Sequence, residues 1–417
     1  MKKITILFVG LIVVVSLILG IHNATLYAPS HGFDGSGHVF YIEYVASNWK
    51  IPPVRLNWET HQSPLYYFLG AALMKISGTW KTAQYMNTFI LWMLILISCF
   101  GIWKVYKKWT PVIFGGLALA ALPMLNIFPA MVTNELLNTF WIISVAVASI
   151  YIVEAKTKFE VNKYIFIATI LFVLGIWTKI SVVMILPTIL LAIFIAFLKQ
   201  KNIRVNIIAT TIVCIFLTYF LAIPIFDRSK DANGPSNLGK VIAKNSAVNT
   251  NHFTDFYYRM DWIWKVDMYN TQYYSLWGGA WNSFWTDGHN AITPFVKFHK
   301  KSFILWSLGF ILLPISLYGQ WRLRKTNRHV FYVIAMMGLS MLGTYIFYNL
   351  GKHHYSGVRL TYEMGIVLPY AFGIAQIGSD IKDKKISLKN LTLILLIIQF
   401  AIMVSFYWIL DWWHVTK

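Results

Sequence analysis

The sequence predicts an all-α polytopic membrane protein, and three observations carry that reading. Of its 417 residues 57% are hydrophobic and 12% charged, with a mean hydropathy of +0.58. So little polar side-chain material cannot cover a water-soluble globule of this size. The apolar residues gather into about eleven runs long enough to cross a bilayer as helices. The 36 Lys and Arg against 16 Asp and Glu give a formal net charge of +20, and about half of the basic residues sit in short segments between those runs. The excess is therefore an orientation signal, and nucleic acid drops out as a partner. Cys99 and Cys214 lie inside apolar runs, so no disulfide framework is expected.

Lys2 and Lys3, followed by apolar residues through Ile21 without a small-residue cleavage pattern, read as the start of a retained first span. The further runs cover 84–103, 110–128, 135–153, 164–178, 181–198, 205–225, 302–320, 330–349, 361–378 and 388–408. Residues 164–198 are one apolar stretch interrupted by Lys179 alone among the ionisable residues. As a straight helix it would measure about 52 Å against a hydrocarbon core of about 30 Å, so the chain must turn near Lys179. The stretch 110–153 divides for the same reason near Pro129, Asn134 and Glu135. Pro64–Ile76 is too short to cross, starts at Ser63-Pro64 and stops before Gly78; an interfacial or re-entrant helix is expected there.

With the N-terminus in the cytoplasm and 64–76 not crossing, the cytoplasmic segments hold nineteen basic and four acidic residues, as the positive-inside rule requires. Residues 22–83 and 226–300 then become long extracytoplasmic loops, and 411–417 a short tail on the same side. Loops of that length usually carry function, which places the chemistry outside the cytoplasm. Three regions result: 1–225 with the first loop, the aromatic loop 226–300, and the C-terminal spans 301–417.

In the first loop, His31-Gly32-Phe33-Asp34-Gly35-Ser36-Gly37-His38 sets one acid and two histidines among three glycines. Asp34 suits a general base or metal ligand beside a lipid-borne substrate, and equally a cap on a helix running to Trp49. Its Phe40/Tyr44 and Tyr41/Val45/Trp49 series suits the headgroup layer. Glu59 and His61 precede the short helix, placed either to orient substrate or as solvated loop groups.

A first span followed by Phe33-Asp34-x-x-x-His38 and an aromatic helix, then His61-Gln62-Ser63-Pro64-Leu65-Tyr66-Tyr67, resembles the membrane-embedded glycosyltransferases of the GT-C superfamily. The likeness is to bacterial enzymes that use polyprenyl-phosphate sugars and are related to protein O-mannosyltransferases and aminoarabinose lipid A transferases. It implies a GT-C fold with juxtamembrane helices in the first loop, Asp34 as catalytic base, and His61 through Tyr67 as a helix beneath the active site. It implies a polyprenyl-phosphate sugar as donor, a glycan, lipid or protein as acceptor, and membrane lipids as surroundings. Members often carry a second acid where this chain has Gly35, so no metal ligands are assigned and a divalent cation is admitted but not required.

Pro129-x-x-x-Thr133-Asn134-Glu135 and Gly175-Ile176-Trp177-Thr178-Lys179 also resemble family segments. Glu135 either contacts acceptor or braces its loop. Lys179 either snorkels or, as the resemblance implies, neutralises the lipid phosphate. In 226–300, Asp261, Trp262, Trp277 and Trp281 offer an aromatic platform for a sugar or an interfacial belt. Between the ninth and tenth spans, Arg359 offers a planar fork to phosphate, with His354 or Tyr355 adding hydrogen bonds; the resemblance supports Tyr355 and Arg359. The expected activity is inverting sugar transfer to an acceptor hydroxyl. Its rivals are a flippase for a lipid-linked saccharide and a non-catalytic subunit of an envelope-glycan complex.

Overall fold

The computed structural model describes residues 2–32, 34–233, 257–264, 275–286, 300–351, 359–379 and 388–409. Among them the regular structure is entirely helical. In chain order the helices are α1 (Lys2–Leu26), α2 (Gly35–Asn48), α3 (Leu65–Ser77), α4 (Lys81–Tyr106), α5 (Trp109–Ala120), α6 (Pro123–Ile127), α7 (Glu135–Glu154), α8 (Lys158–Thr178), α9 (Leu186–Lys199) and α10 (Arg204–Asn233). They continue as α11 (Leu276–Trp285), α12 (Lys300–Thr326), α13 (Arg328–Gly351), α14 (Val367–Ser379) and α15 (Leu388–Ile409).

Among the described residues eight helices are long and apolar enough to cross a membrane, and a ninth span results if the pair Trp109–Ala120 and Pro123–Ala130, bent by 59°, is taken as one. The protein is thus a multi-pass helical membrane protein. The two remaining expected runs form shorter apolar helices: Gly10–Leu26 within α1, and the 13-residue α14 behind a 3-10 segment, Leu360–Ile366. At 1.5 Å per residue α14 measures about 20 Å. It is buried almost throughout, packed between α5 and α12, which explains a sequence apolar on every side.

Each turn has a local cause. Leu122-Pro123 ends α5, because proline cannot continue its hydrogen bonding; Asn126 Nδ2 donates to the freed carbonyls of Ala120 (2.9 Å) and Leu122 (2.8 Å). Thr157 and Glu160 form a capping box that starts α8. Lys179 is extended where α8 stops, and Pro187 sits in the first turn of α9. The turns expected near 129–135 and at Lys179 are both present, the first spread over two breaks.

Helix α7 is the centre of the bundle, contacting α4, α8, α9 and α13. By contrast, α10 lies at the edge against α8 and turns Ile208, Ile212, Phe216 and Phe220 outward, a face suited to lipid. It also runs to Asn233 through Pro224, well past the expected boundary at 225. Gly319 on α12 and Gly373 on α14 let two backbones touch, since a Cβ on either would collide with the other helix. Helix α3 spans 13 residues, about 20 Å, too short for a 30 Å core.

Candidate active site

Asp34 stands one residue before α2, with φ 53° and ψ 22°, and its side chain makes no capping hydrogen bond. The cap reading is therefore right in position and wrong in chemistry. The Asp34 carbonyl accepts from Gly37 N (2.9 Å) and His38 N (3.1 Å), while the exposed carboxylate stays available for other chemistry. A left-handed backbone at a residue with a Cβ costs energy that the surrounding structure must offset.

Helix α2 packs on α3 and on the loop between them. Gly37 is required by that approach: a Cβ there would lie 2.6 Å from both Glu59 Cγ and Trp58 Nε1. Buried His38 sets Nδ1 2.8 Å from the Tyr67 hydroxyl, and Tyr67 stacks on Tyr41 at 3.7 Å between ring centres. Burial first, then the positive charges of Lys179 and His61, push His38 down to about 3. It is a neutral imidazole at pH 7, so its 3.7 Å approach to Glu59 Oε2 is a polar contact and not an ion pair.

Glu59 is 6% exposed, and its Oε2 has no hydrogen-bond partner among the described residues. Burial and then the nearby Asp34 charge raise its carboxyl to about 7, with Glu135 adding to the rise and Lys179 opposing it. The fold therefore brings Asp34, Glu59, Glu135 and Lys179 into one electrostatic neighbourhood, although they come from four separate stretches of chain.

A polar row on α4, spaced by three residues, builds the floor of this region. Lys81 Nζ donates to the carbonyls of Ala24 (3.0 Å) and Tyr27 (2.7 Å) at the end of α1, a cation placed at the negative pole of the helix. Gln84 Nε2 reaches Tyr27 O (3.0 Å) and Ala130 O (2.5 Å). Asn87 Nδ2 donates to Met131 O (2.7 Å) and Thr133 O (3.1 Å) and lies 3.2 Å from the Tyr66 hydroxyl. These bonds satisfy the irregular backbone before α7 and so aim Glu135, its first residue.

Glu135 is ion-paired with Lys179. Lys179 Nζ also lies 5.2 Å from the centre of the Tyr362 ring, and Arg359 Cζ lies 5.7 Å from the same ring. Two cations thus flank one aromatic ring, at a distance where the ring quadrupole attracts them. Next to Tyr362, Glu363 is 3% exposed and its Oε2 lacks a partner among the described residues.

Asp34, His38, Glu59, Glu135, Lys179 and Arg359 belong to this region. Lys179 does not stand as a lone phosphate-binding cation: Glu135 already neutralises it, and Glu135 itself braces a neighbour. His61 is exposed, with Nδ1 2.5 Å from the Trp58 carbonyl of its own loop. His354 and Tyr355 lie outside the described residues. In the aromatic loop, Asp261 pairs with Arg259 at 3.4 Å, Trp277 Nε1 donates to Tyr257 O (2.9 Å), and Trp281 stacks on Phe310 at 4.3 Å. The side chain of Trp262 is not among those described. Among the described residues no three His, Cys, Asp or Glu are grouped as metal ligands. Sequence reasoning included Tyr67 in the helix beneath the site but missed Tyr362, Glu363 and the α4 row; of these only the three-residue spacing of Lys81, Gln84 and Asn87 was a readable signal.

No protein-family model and no curated protein matches the chain. Solved structures do. ArnT from Cupriavidus metallidurans bound to undecaprenyl phosphate superposes with a TM-score of 0.56 at 13% identity, covering 89% of this chain and 59% of that one. The apo oligosaccharyltransferase of Archaeoglobus fulgidus gives 0.59 at 12% identity, covering 97% and 56%. The oligosaccharyltransferase AglB of Archaeoglobus fulgidus, in complex with an inhibitory peptide and a dolichol-phosphate, gives 0.55 at 12%, covering 95% and 56%. The chain spans less than three fifths of the length of each. At these identities the likeness speaks to architecture alone, and that architecture agrees with the fold that the resemblance in the first loop implied.

Proposed function

We propose that the protein is a glycosyltransferase that moves a sugar from a polyprenyl-phosphate donor to an acceptor hydroxyl on the extracytoplasmic side, with inversion. The observation that carries this reading is an uncapped, exposed Asp34 whose charge acts on buried Glu59, on which Lys179 also acts, with Lys179 and Arg359 both close to the Tyr362 ring. Solved structures of the same fold bind undecaprenyl phosphate and a dolichol-phosphate, which supports a polyprenyl phosphate as the lipid here.

The acceptor oxygen forms the new bond to the anomeric carbon, and its proton passes to the Asp34 carboxylate. The bond from that carbon to the phosphate oxygen breaks, and its electron pair stays on the departing polyprenyl phosphate. Lys179 and Arg359 stabilise the charge that develops there. Lys179 leaves Glu135 part-way as the phosphate arrives, so Glu135 keeps the lysine in place while the site is empty. His38 and Glu59 line the acceptor side and His61 stands at its rim; His354 and Tyr355 are assigned to substrate on the sequence alone. Residues 1–225 form the catalytic module in this reading, completed by Arg359 from the C-terminal spans. Eleven crossings set the N-terminus in the cytoplasm and the C-terminus outside.

Binding of sugar-free polyprenyl phosphate to protein in nanodiscs tests the cation subsite. Lys179→Met and Arg359→Met are each expected to weaken it about tenfold or more, the effect of removing one charge-assisted contact. Wild-type affinity in both variants would remove the phosphate from this place.

A further inference from the structure

The segment Ile51–Ser63 that carries Glu59 is tied together mainly by its own turns. Thr60 Oγ1 donates to Asn57 O (2.7 Å) and lies 2.9 Å from Val54 O, Asn57 N reaches back to Thr60 Oγ1 (3.0 Å), and Gln62 N bonds Glu59 O (3.1 Å). On one side this knot rests on α2, where Glu59 and Trp58 pack against Gly37 and the Tyr41 hydroxyl lies 3.4 Å from Gln62 O, and Asn134 Nδ2 lies 3.5 Å from Gln62 Oε1. A side chain from far along the sequence ties both ends of the loop. Arg228, in the last two turns of α10, donates from Nη2 to Pro52 O (2.9 Å) at one end of the loop and to Thr60 O at the other. The same guanidinium faces the Tyr41 hydroxyl on α2.

Both routes from Arg228 lead to Glu59. Through the backbone, Thr60 is its immediate neighbour. Through side chains, Tyr41 stacks on Tyr67, Tyr67 bonds His38, and His38 faces Glu59 Oε2. One face of α10 at membrane depth turns outward and the other, with Ile207, Cys214, Ala222 and Ile225, is buried; the extension past Pro224 brings Arg228 to the first loop. The planar guanidinium presents its donors in one fixed geometry to two carbonyls and a hydroxyl, whereas a lysine would have to gather all three around one nitrogen on a different stem.

We propose that Arg228 is a positioning residue, a clasp that seats the Ile51–Ser63 loop on α10 and so sets the place and hydration of Glu59 beside Asp34. This rests on the reading of Asp34 and Glu59 as parts of the reaction centre, but its test does not need sugar transfer.

Hydrogen exchange read by mass spectrometry, on the full chain in nanodiscs, reports on the clasp through the amides of Leu56, Asn57, Thr60 and Gln62. Arg228→Met is expected to speed their exchange about ten- to a hundredfold, with α7 unchanged; Arg228→Lys, which keeps the charge but not the planar fork, falls between. A second readout separates positioning from mere stability. The protonated-carboxyl infrared band of Glu59, assigned by its loss in Glu59→Gln, is titrated in each variant. The groups facing Glu59 are Asp34, Gln62, Glu135, Lys179 and His38, none of them altered. Its midpoint, near 7 in the native loop, is expected to fall towards ordinary carboxylate values in Arg228→Met as water enters, and to be partly restored in Arg228→Lys. Native exchange with a native midpoint in a folded Arg228→Met overturns the clasp. If that variant does not fold, native values in Arg228→Lys overturn it.

Discussion

At Asp34 the chain accepts a left-handed backbone and then leaves the carboxylate without the capping bond its position would allow. Twenty-five residues on, Glu59 does the opposite, burying a carboxyl against α2 where Gly37 makes room. The two acids therefore differ in what pH does to them. Glu59 holds its proton to about pH 7 in the folded protein but only to 4.5 when unfolded. The native state then binds more protons than the unfolded state between those values, so stability falls as pH rises through that window. The shift corresponds to about 3 kcal/mol lost by pH 8 relative to pH 4. Thermal unfolding of Glu59→Gln in detergent should show a flatter dependence than wild type between pH 5 and 8; an unchanged slope would mean that Glu59 is hydrated.

The elements that make the site are joined by polar side chains inside apolar helices. Asn87 is the clearest case. Asn87→Ala would leave the Met131 and Thr133 carbonyls unpaired in a dry interior and should cost about 2–4 kcal/mol, seen as a lower denaturation midpoint. A loss below 0.5 kcal/mol, on the order of a surface change, would mean that water already serves those groups. Where the sequence could be read at this scale, it was read through length and breakers: the turn at Lys179 follows from a stretch too long for one span, and α3 from one too short. The 59° break after α5, inside the expected span 110–128, was not read, because Pro123 lies inside an unbroken apolar run and Asn126, which satisfies the freed carbonyls, looks from sequence like any polar residue in a helix. The end of α10 was missed for a related reason. Hydropathy falls at Asp227 and Arg228, yet a helix leaving a membrane need not stop there.

Over the whole molecule, the multi-pass helical architecture was more legible than the site. Asp34, Glu59, Glu135 and Lys179 could be singled out one by one, but their pairing depends on which helices touch α7, and hydropathy carries no such information. That Glu135 would neutralise Lys179, or that Tyr362 would stand between Lys179 and Arg359, needed the fold. The proposed orientation has its own check. Single cysteines placed at Lys107 and Lys325, in a background lacking Cys99 and Cys214, are expected to react with a membrane-impermeant maleimide only after the membrane is opened from the cytoplasmic side. One at Arg55 should react in intact cells, and the reverse pattern would invert the topology.

The central claim is that Asp34 takes the acceptor proton during sugar transfer. Its most direct measurement is single-turnover transfer by purified Asp34→Asn with a polyprenyl-phosphate sugar that the wild-type protein turns over, alongside binding of sugar-free polyprenyl phosphate. General-base loss predicts a rate about 10²–10⁴ lower with lipid-phosphate affinity unchanged. Wild-type turnover by Asp34→Asn would contradict the account.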